Sequence, residues 1–364
     1  MASLPTEKFE MAIDLQTLPK SVQDPRATAK KTQRIPALDF TKGALVLIMV
    51  LYHWLNYFFG TSDNRYLRFL TPSFIFITGF LISNVYFSKY GSADPRLPKR
   101  LMQRGLKILG VFLFLNLARV ALFPGIYRAQ MVAEHSSFRS LFDIYVMGSN
   151  LGGGQGKAIA FFILVPIAYL LMLSAVLSVA GRAYRHIFQV VCALFFLAIV
   201  VLELNGYQSA NLELLAIGLL GMVAGYIPIE RINAFLNYPF SLVVAYLCYL
   251  GAITLWNIIY PLQVVGVCLS LMILYWMGGQ GGHPNRFQRL AILLGKYSLL
   301  GSIAQIAVLQ FLHQGLRHIH LSEIAVLSIS FPAAFVLTIL VVDVTDRARR
   351  RIATIDRFYK AVFA

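Results

Sequence analysis

The fold class predicted for this 364-residue chain is all-α: a polytopic integral-membrane bundle of about ten transmembrane helices, with both termini in the cytoplasm. Three observations predict it. The first is composition, 58% apolar and 13% charged residues with a mean hydropathy of +0.68, whereas a globular domain carries about a quarter charged residues. Too little polar surface remains to solvate a water-soluble enzyme of this size. The second is a succession of apolar stretches of bilayer length, about 20 residues each. The third is the uneven distribution of Lys and Arg among the segments that join them.

Taken in order, residues 1–33 are polar, with Lys8, Lys20, Lys30 and Lys31 and no apolar core of signal-peptide type, and read as a retained cytoplasmic tail. Apolar spans follow at about 43–60, 67–88 and 105–123, the third entered from a basic stretch that begins at Lys89. Spans at 158–180 and 187–202 are parted by Arg182 and Arg185, and 212–227 ends before Pro228. Residues 240–278 hold no Lys, Arg, Asp or Glu, yet one helix of that length would measure about 58 Å against a hydrocarbon core of about 30 Å. Two spans, 239–259 and 262–278, therefore meet in a turn at Tyr260-Pro261. Spans at 291–312 and 323–343 complete the membrane domain, 34–343, and residues 344–364 form a basic cytoplasmic tail. No repeat of fixed period is visible.

The 32 Lys and Arg against 16 Asp and Glu give a formal net charge of +16. In a soluble chain this excess would suggest nucleic acid as a partner, but here its placement identifies the lipid bilayer instead. Of the 32, 25 fall in the tails and in alternate loops and six in the intervening loops, with Arg119 inside a span. That bias puts both termini in the cytoplasm and the long 124–157 connection on the outer face. Cys192, Cys248 and Cys268 lie in apolar runs, and an odd count within spans argues against a disulfide framework.

Ionisable groups inside spans are costly unless they face a cavity or a partner, which makes them the first functional candidates. Lys42 stands at the lip of the first helix, and His53, eleven residues on, is about 16 Å deeper along the axis. Asp39 precedes Lys42 by three residues and shares its face, a spacing that suits a local ion pair. A neutral imidazole at that depth suits proton abstraction from a hydroxyl, with Asn56 placed to orient it; a structural histidine bonded to a neighbouring helix is the other reading. Asn116 and Arg119 share a face of the third helix. Two roles fit Arg119: holding an anionic or sugar substrate, or snorkelling to the outer headgroups. The run Gly152-Gly153-Gly154-Gln155-Gly156-Lys157 lacks the first glycine and the terminal Ser or Thr of a phosphate loop. His313, His318 and His320 have no carboxylate or thiol framework around them, and no metal is expected.

The run from Arg34 to Gly43, RIPALDFTKG, followed by apolar residues to Tyr52-His53, resembles the opening of the membrane acyltransferase family 3 superfamily: a Leu-Asp pair, a basic residue, then a histidine. Phe74–Ser83, FIFITGFLIS, is similar to the second helix of that superfamily, and Lys99-Arg100 to Arg104 to its basic stretch before the third. Leu294–Leu299, LGKYSL, resembles the Gly-Lys/Arg-x-Ser opening of a late helix. Lys42 stands where Arg is usual, and Gln305 roughly where a His often is. The outline is similar as well to two relatives, the glucan succinyltransferases and the heparan-glucosaminide acetyltransferase group.

The resemblance implies an inner-membrane enzyme that moves an acyl group from cytoplasmic acetyl-CoA or succinyl-CoA, used as co-substrate, to a hydroxyl of an envelope or exported carbohydrate or glycolipid. It implies that Lys42 and His53 are catalytic, with His53 a general base or acyl carrier. Arg34, Arg100, Arg104, Lys107 and Lys296 would hold the phosphates of the donor, and Asp39, Asn56, Arg119, Ser298 and Gln305 would line a passage for the transfer. A transporter or flippase and a non-catalytic member of the superfamily stand as alternatives.

Overall fold

Pro36 occupies the first turn of the first helix, where its missing N–H is no loss, and from there every apolar stretch contains a helix in the computed structural model. The structure describes residues 35–60, 65–87, 90, 94–122, 138–148, 161–181, 186–256, 259–280, 284–319 and 322–363. No strand occurs among them. The helices are α1 (Pro36–Phe58), α2 (Leu70–Leu81), α3 (Arg96–Leu122), α4 (Leu164–Ala180), α5 (Ile187–Leu204), α6 (Ala210–Ala224), α7 (Ile229–Phe235), α8 (Pro239–Leu255), α9 (Tyr260–Gly279), α10 (Arg286–Lys296), α11 (Ser298–Arg317), α12 (Glu323–Arg351) and α13 (Ala353–Phe363). A π-helical turn, Ile82–Phe87, prolongs α2, and a short helix, Phe138–Phe142, precedes α4. Arg34, the 152–157 glycine run and His320 lie outside the described residues.

Among the described residues seven helices are long and apolar enough to cross a membrane: α1, the Arg65–Phe87 segment built on α2, α3, α5, α9, α11 and α12. The chain is thus a multi-pass membrane protein. Helices α4 and α8 are apolar but have 17 residues each. Helices α6 and α7 are joined at a 99° bend.

One expectation is corrected. The segment 291–312 is not one helix, because the chain breaks at Tyr297 between α10 and α11. Asn285 starts α10 with a reciprocal cap: its side chain accepts from the Gln288 amide at 2.7 Å, and the Gln288 side chain accepts from the Asn285 amide at 3.0 Å. Arg286, Arg289 and Lys296 make α10 amphipathic, and the membrane-length helix begins only at Ser298.

Packing follows from small residues and from hydroxyls satisfied within their own helices. A β-carbon on Gly43 would collide with the Ala291 carbonyl oxygen, and one on Gly295 with the Asp39 carbonyl oxygen, so α1 and α10 cross backbone to backbone. Gly79 and Gly221 allow the same close approach of α2 and α6. Thr41 donates to the Ala37 carbonyl at 2.8 Å, Ser174 to Leu170 at 2.6 Å and Thr338 to Ala334 at 2.7 Å, which meets the demand that polar groups in lipid be paired internally. Helix α11 runs parallel to α1: Gly301 lies against Val46, and the His313 ring stands 5.7 Å from that of Tyr57. Helix α12 returns beside them, with the Trp54 indole donating to Ser330 at 2.9 Å and Ala334 packed in the same cluster as Val50.

Candidate functional site

The site begins at the foot of α1. Lys42 Nζ lies 2.6 Å from Asp39 Oδ1, with both side chains largely buried, as the i,i+3 spacing suggests. Eleven residues is close to three full turns, so His53 falls on the same face as Lys42, about 16 Å along the axis. His53 is half-buried, its ring edge-on to Tyr52 at 5.2 Å. The close crossing at Gly43 and Gly295 then brings two distant motifs together. The backbone of Asp39 touches Gly295, so the LGKYSL segment docks on the foot of the LDFTKG segment. Lys296, the last residue of α10, is exposed there.

A second cluster is built on the first turns of α3. Arg100, Arg104 and Lys107 recur at helical spacing and line one wall of an open cavity of about 450 Å3, with Val85, Tyr86, Tyr90 and Gln103 opposite or beside them. Arg100 donates to the Tyr90 hydroxyl and Arg104 to the Tyr86 hydroxyl. The Arg100 guanidinium also stands 4.7 Å from the centre of the Tyr90 ring. Three cations thus meet two phenols in a space large enough for a drug-sized ligand. Lys42 and Lys296 do not line it.

Further along α3, Asn116 and Arg119 are buried on one face, 2% and 6% exposed. Arg119 is therefore enclosed by protein, and its snorkelling to headgroups is ruled out. On α11, Ser298 is half-buried and Gln305 is 1% exposed. Among the described residues Gln305 Oε1 has no hydrogen-bond partner, and Gln305 lies on the α11 side that carries Gly301 and Leu309, the side packed on α1 and α12. An unpaired acceptor at that depth is expensive and suits a polar ligand or water. Asn56 is half-buried one turn beyond His53.

Sequence reasoning missed three features. Gln310, 5% exposed with an unpaired Nε2 among the described residues, is a second buried amide on α11. Tyr86 and Tyr90 complete the cationic cavity; phenols next to a basic stretch were the available signal. The third is a latch at the C-terminal end. Tyr297 donates to Asp346 at 2.7 Å, Arg349 bonds Asp356 Oδ1 through Nε at 3.0 Å and Nη2 at 2.7 Å, and the Arg349 guanidinium lies 3.8 Å from the centre of the Tyr359 ring. The hydrogen bonds of Lys360 and Arg349 hold the Asp356 carboxyl below its ordinary range. Among the described residues no three His, Cys, Asp or Glu side chains group as metal ligands.

The described residues thus form a multi-pass, all-helical chain with a largely buried Asp39-Lys42 pair, His53 on the same face of α1 and a cationic cavity beside α3. A family model described as an acyltransferase domain, Acyl_transf_3, matches residues 35–346. The chain belongs to this acyltransferase family. No curated protein and no solved structure matches it.

Proposed function

We propose that the chain is an inner-membrane enzyme transferring an acetyl or succinyl group from cytoplasmic acyl-CoA to a hydroxyl of an envelope or exported carbohydrate or glycolipid. The observation that carries this reading is the placement of Lys42 and His53 on one face of α1, with Gly295 and Lys296 docked at its foot. The passage then runs from a charged mouth to a mid-membrane base. The cavity of Arg100, Arg104 and Lys107 suits the phosphates of the donor, since guanidinium groups bind phosphate through paired N–H donors. Lys296 adds positive charge at the foot of α1.

In the transfer, His53 takes the proton of the acceptor hydroxyl while the oxygen attacks the thioester carbonyl. The carbon–sulfur bond breaks, CoA leaves as thiolate, and the imidazolium returns a proton to it. With acyl-His53 as carrier, the imidazole nitrogen first displaces CoA thiolate from the acyl carbon, and the acceptor oxygen then breaks that nitrogen–carbon bond while its proton passes to the thiolate. Lys42, about 16 Å from His53 along the helix axis, supplies charge for the donor phosphates at the mouth, Asp39 fixes its position, and Asn56, Arg119, Ser298 and Gln305 provide polar contacts for the acceptor. Counting α4, α8 and the bent α6–α7 pair as spans would give ten, an even number that with the Lys/Arg bias supports both termini in the cytoplasm.

The test is release of free CoA thiol by purified protein given acetyl-CoA or succinyl-CoA, with and without oligosaccharide acceptors. Turnover in the wild type and its loss in His53→Ala are expected; equal turnover in both would overturn the role of His53. A transporter has one feature in its favour, the 99° bend between α6 and α7, since broken helices mark transport sites. Ion-gradient-driven uptake in vesicles without thiol release would favour it.

A further inference from the structure

We propose that a second cavity, on the α7 side of α1, is a binding site for one aliphatic chain of an anionic phospholipid. The cavity measures about 430 Å3, within the range of ligand sites. It is bounded by five elements: α1 through Leu38, α2 through Phe76 and Phe80, α6 through Ala224, α7 through Ile232, and α9 through Leu271 and Met272. The cavity lies at the 99° bend between α6 and α7, with Ala224 and Ile227 from the bend in its wall. A hydrogen bond from the Tyr275 hydroxyl to Asn233 Oδ1 at 3.2 Å fastens α7 to α9 across the cavity.

The chemistry of the lining selects the occupant. Of its polar side chains, the Thr41 hydroxyl is spent on the Ala37 carbonyl and the Tyr275 hydroxyl on Asn233. What remains is hydrocarbon, the weakly polar Cys268 thiol and one charge, Arg231, which is exposed and has no ion-pair partner among the described residues. A sugar or nucleotide would leave its hydroxyls unpaired against Phe76, Phe80 and Leu271. An acyl chain fills such a space without that cost, and a phosphate at its head meets the free guanidinium. A membrane supplies such molecules at high local concentration. Because Thr41 adjoins Lys42, a bound chain would also brace the α1 foot from the side opposite α10.

The experiment uses the full-length protein, extracted in mild detergent and exchanged into lipid-free detergent. Native mass spectrometry of the wild type is expected to show one retained phospholipid, and titration of the delipidated protein with phosphatidylglycerol to raise the melting temperature more than with phosphatidylcholine. Arg231→Ala removes only an exposed charge and is expected to lower the anionic preference about fivefold. Ala224→Trp fills the cavity and is expected to abolish retention; should it misfold, Arg231→Ala and the titration decide alone. Absence of retained lipid together with no headgroup preference would overturn the proposal. Displacement of the phospholipid by palmitoyl-CoA but not by acetyl-CoA would also overturn it, giving the cavity to a long-chain donor. None of these readouts requires acyl transfer, so the lipid site stands or falls apart from the proposed activity.

Discussion

At the scale of single residues, the foot of α1 sets the strictest demands. Lys42→Ala would leave the Asp39 carboxylate largely buried without its cation, a loss of about 3–5 kcal/mol, read as a lower melting temperature in detergent. Lys42→Arg keeps the charge and is expected to retain the fold and part of the thiol release. His53→Ala removes no hydrogen bond or ion pair among the described residues, so its melting temperature should stay near that of the wild type. Its thiol release should fall about 100-fold or more if His53 is the base, and a fall in both quantities together would point to a structural histidine instead. The Asp39-Lys42 spacing and the 11-residue step to His53 were legible in the sequence because helical periodicity alone sets them. The enclosure of Arg119 was not, since a lone guanidinium near a helix end suits headgroups and protein equally until the neighbouring helices are placed.

At the scale of elements, two contacts decide how the helices meet. Gly43→Ala or Gly295→Ala forces α1 and α10 apart by their backbones, at a cost of about 1–3 kcal/mol. The expected result is a lower melting temperature in either variant, with no further loss when both are combined, because each already opens the same crossing. The break at Tyr297 escaped the sequence reading because α10 and α11 are joined without a Pro, and the apolar run from Ala291 crosses the junction. Helix α13 depends on charge instead. Lys360 and Arg349 hold Asp356 below its ordinary carboxylate range, so the stabilisation is present above the unfolded value of about 3.9 and is lost as pH falls through the lower folded value. Faster amide exchange over 353–363 is expected below about pH 4 and, at neutral pH, in Asp356→Asn. Unchanged exchange in that variant would show that the Tyr297, Tyr359 and Phe363 ring contacts hold α13 without the ion pairs.

At the scale of the whole molecule, the parity of the spans fixes what the site can reach. If only the seven long helices cross, the two termini lie on opposite faces; if α4, α8 and the bent α6–α7 pair cross as well, they lie on the same face. Lys and Arg favour the second arrangement, since 25 of the 32 then share the cytoplasmic side. Length alone does not settle it, because a 17-residue helix of about 26 Å spans only with local thinning of the bilayer or with help from neighbours. Alkaline phosphatase fused after Gly60, Gly206 or Ile319 is expected to be active, and fused after Gly181, Gln280 or Phe363 to be inactive, while a fluorescent protein at the C-terminus should fluoresce. Activity of the fusion after Phe363 would require an odd number of crossings. In that arrangement Arg349 and the α13 latch would leave the face that carries Lys42, yet Tyr297 joins both through Asp346 and the docking of α10 on α1. The contacts at the foot of α1 bring the start of α1 and the end of α12 together through Tyr297, which favours an even count, and inactivity of the fusion after Phe363 is the result that checks it.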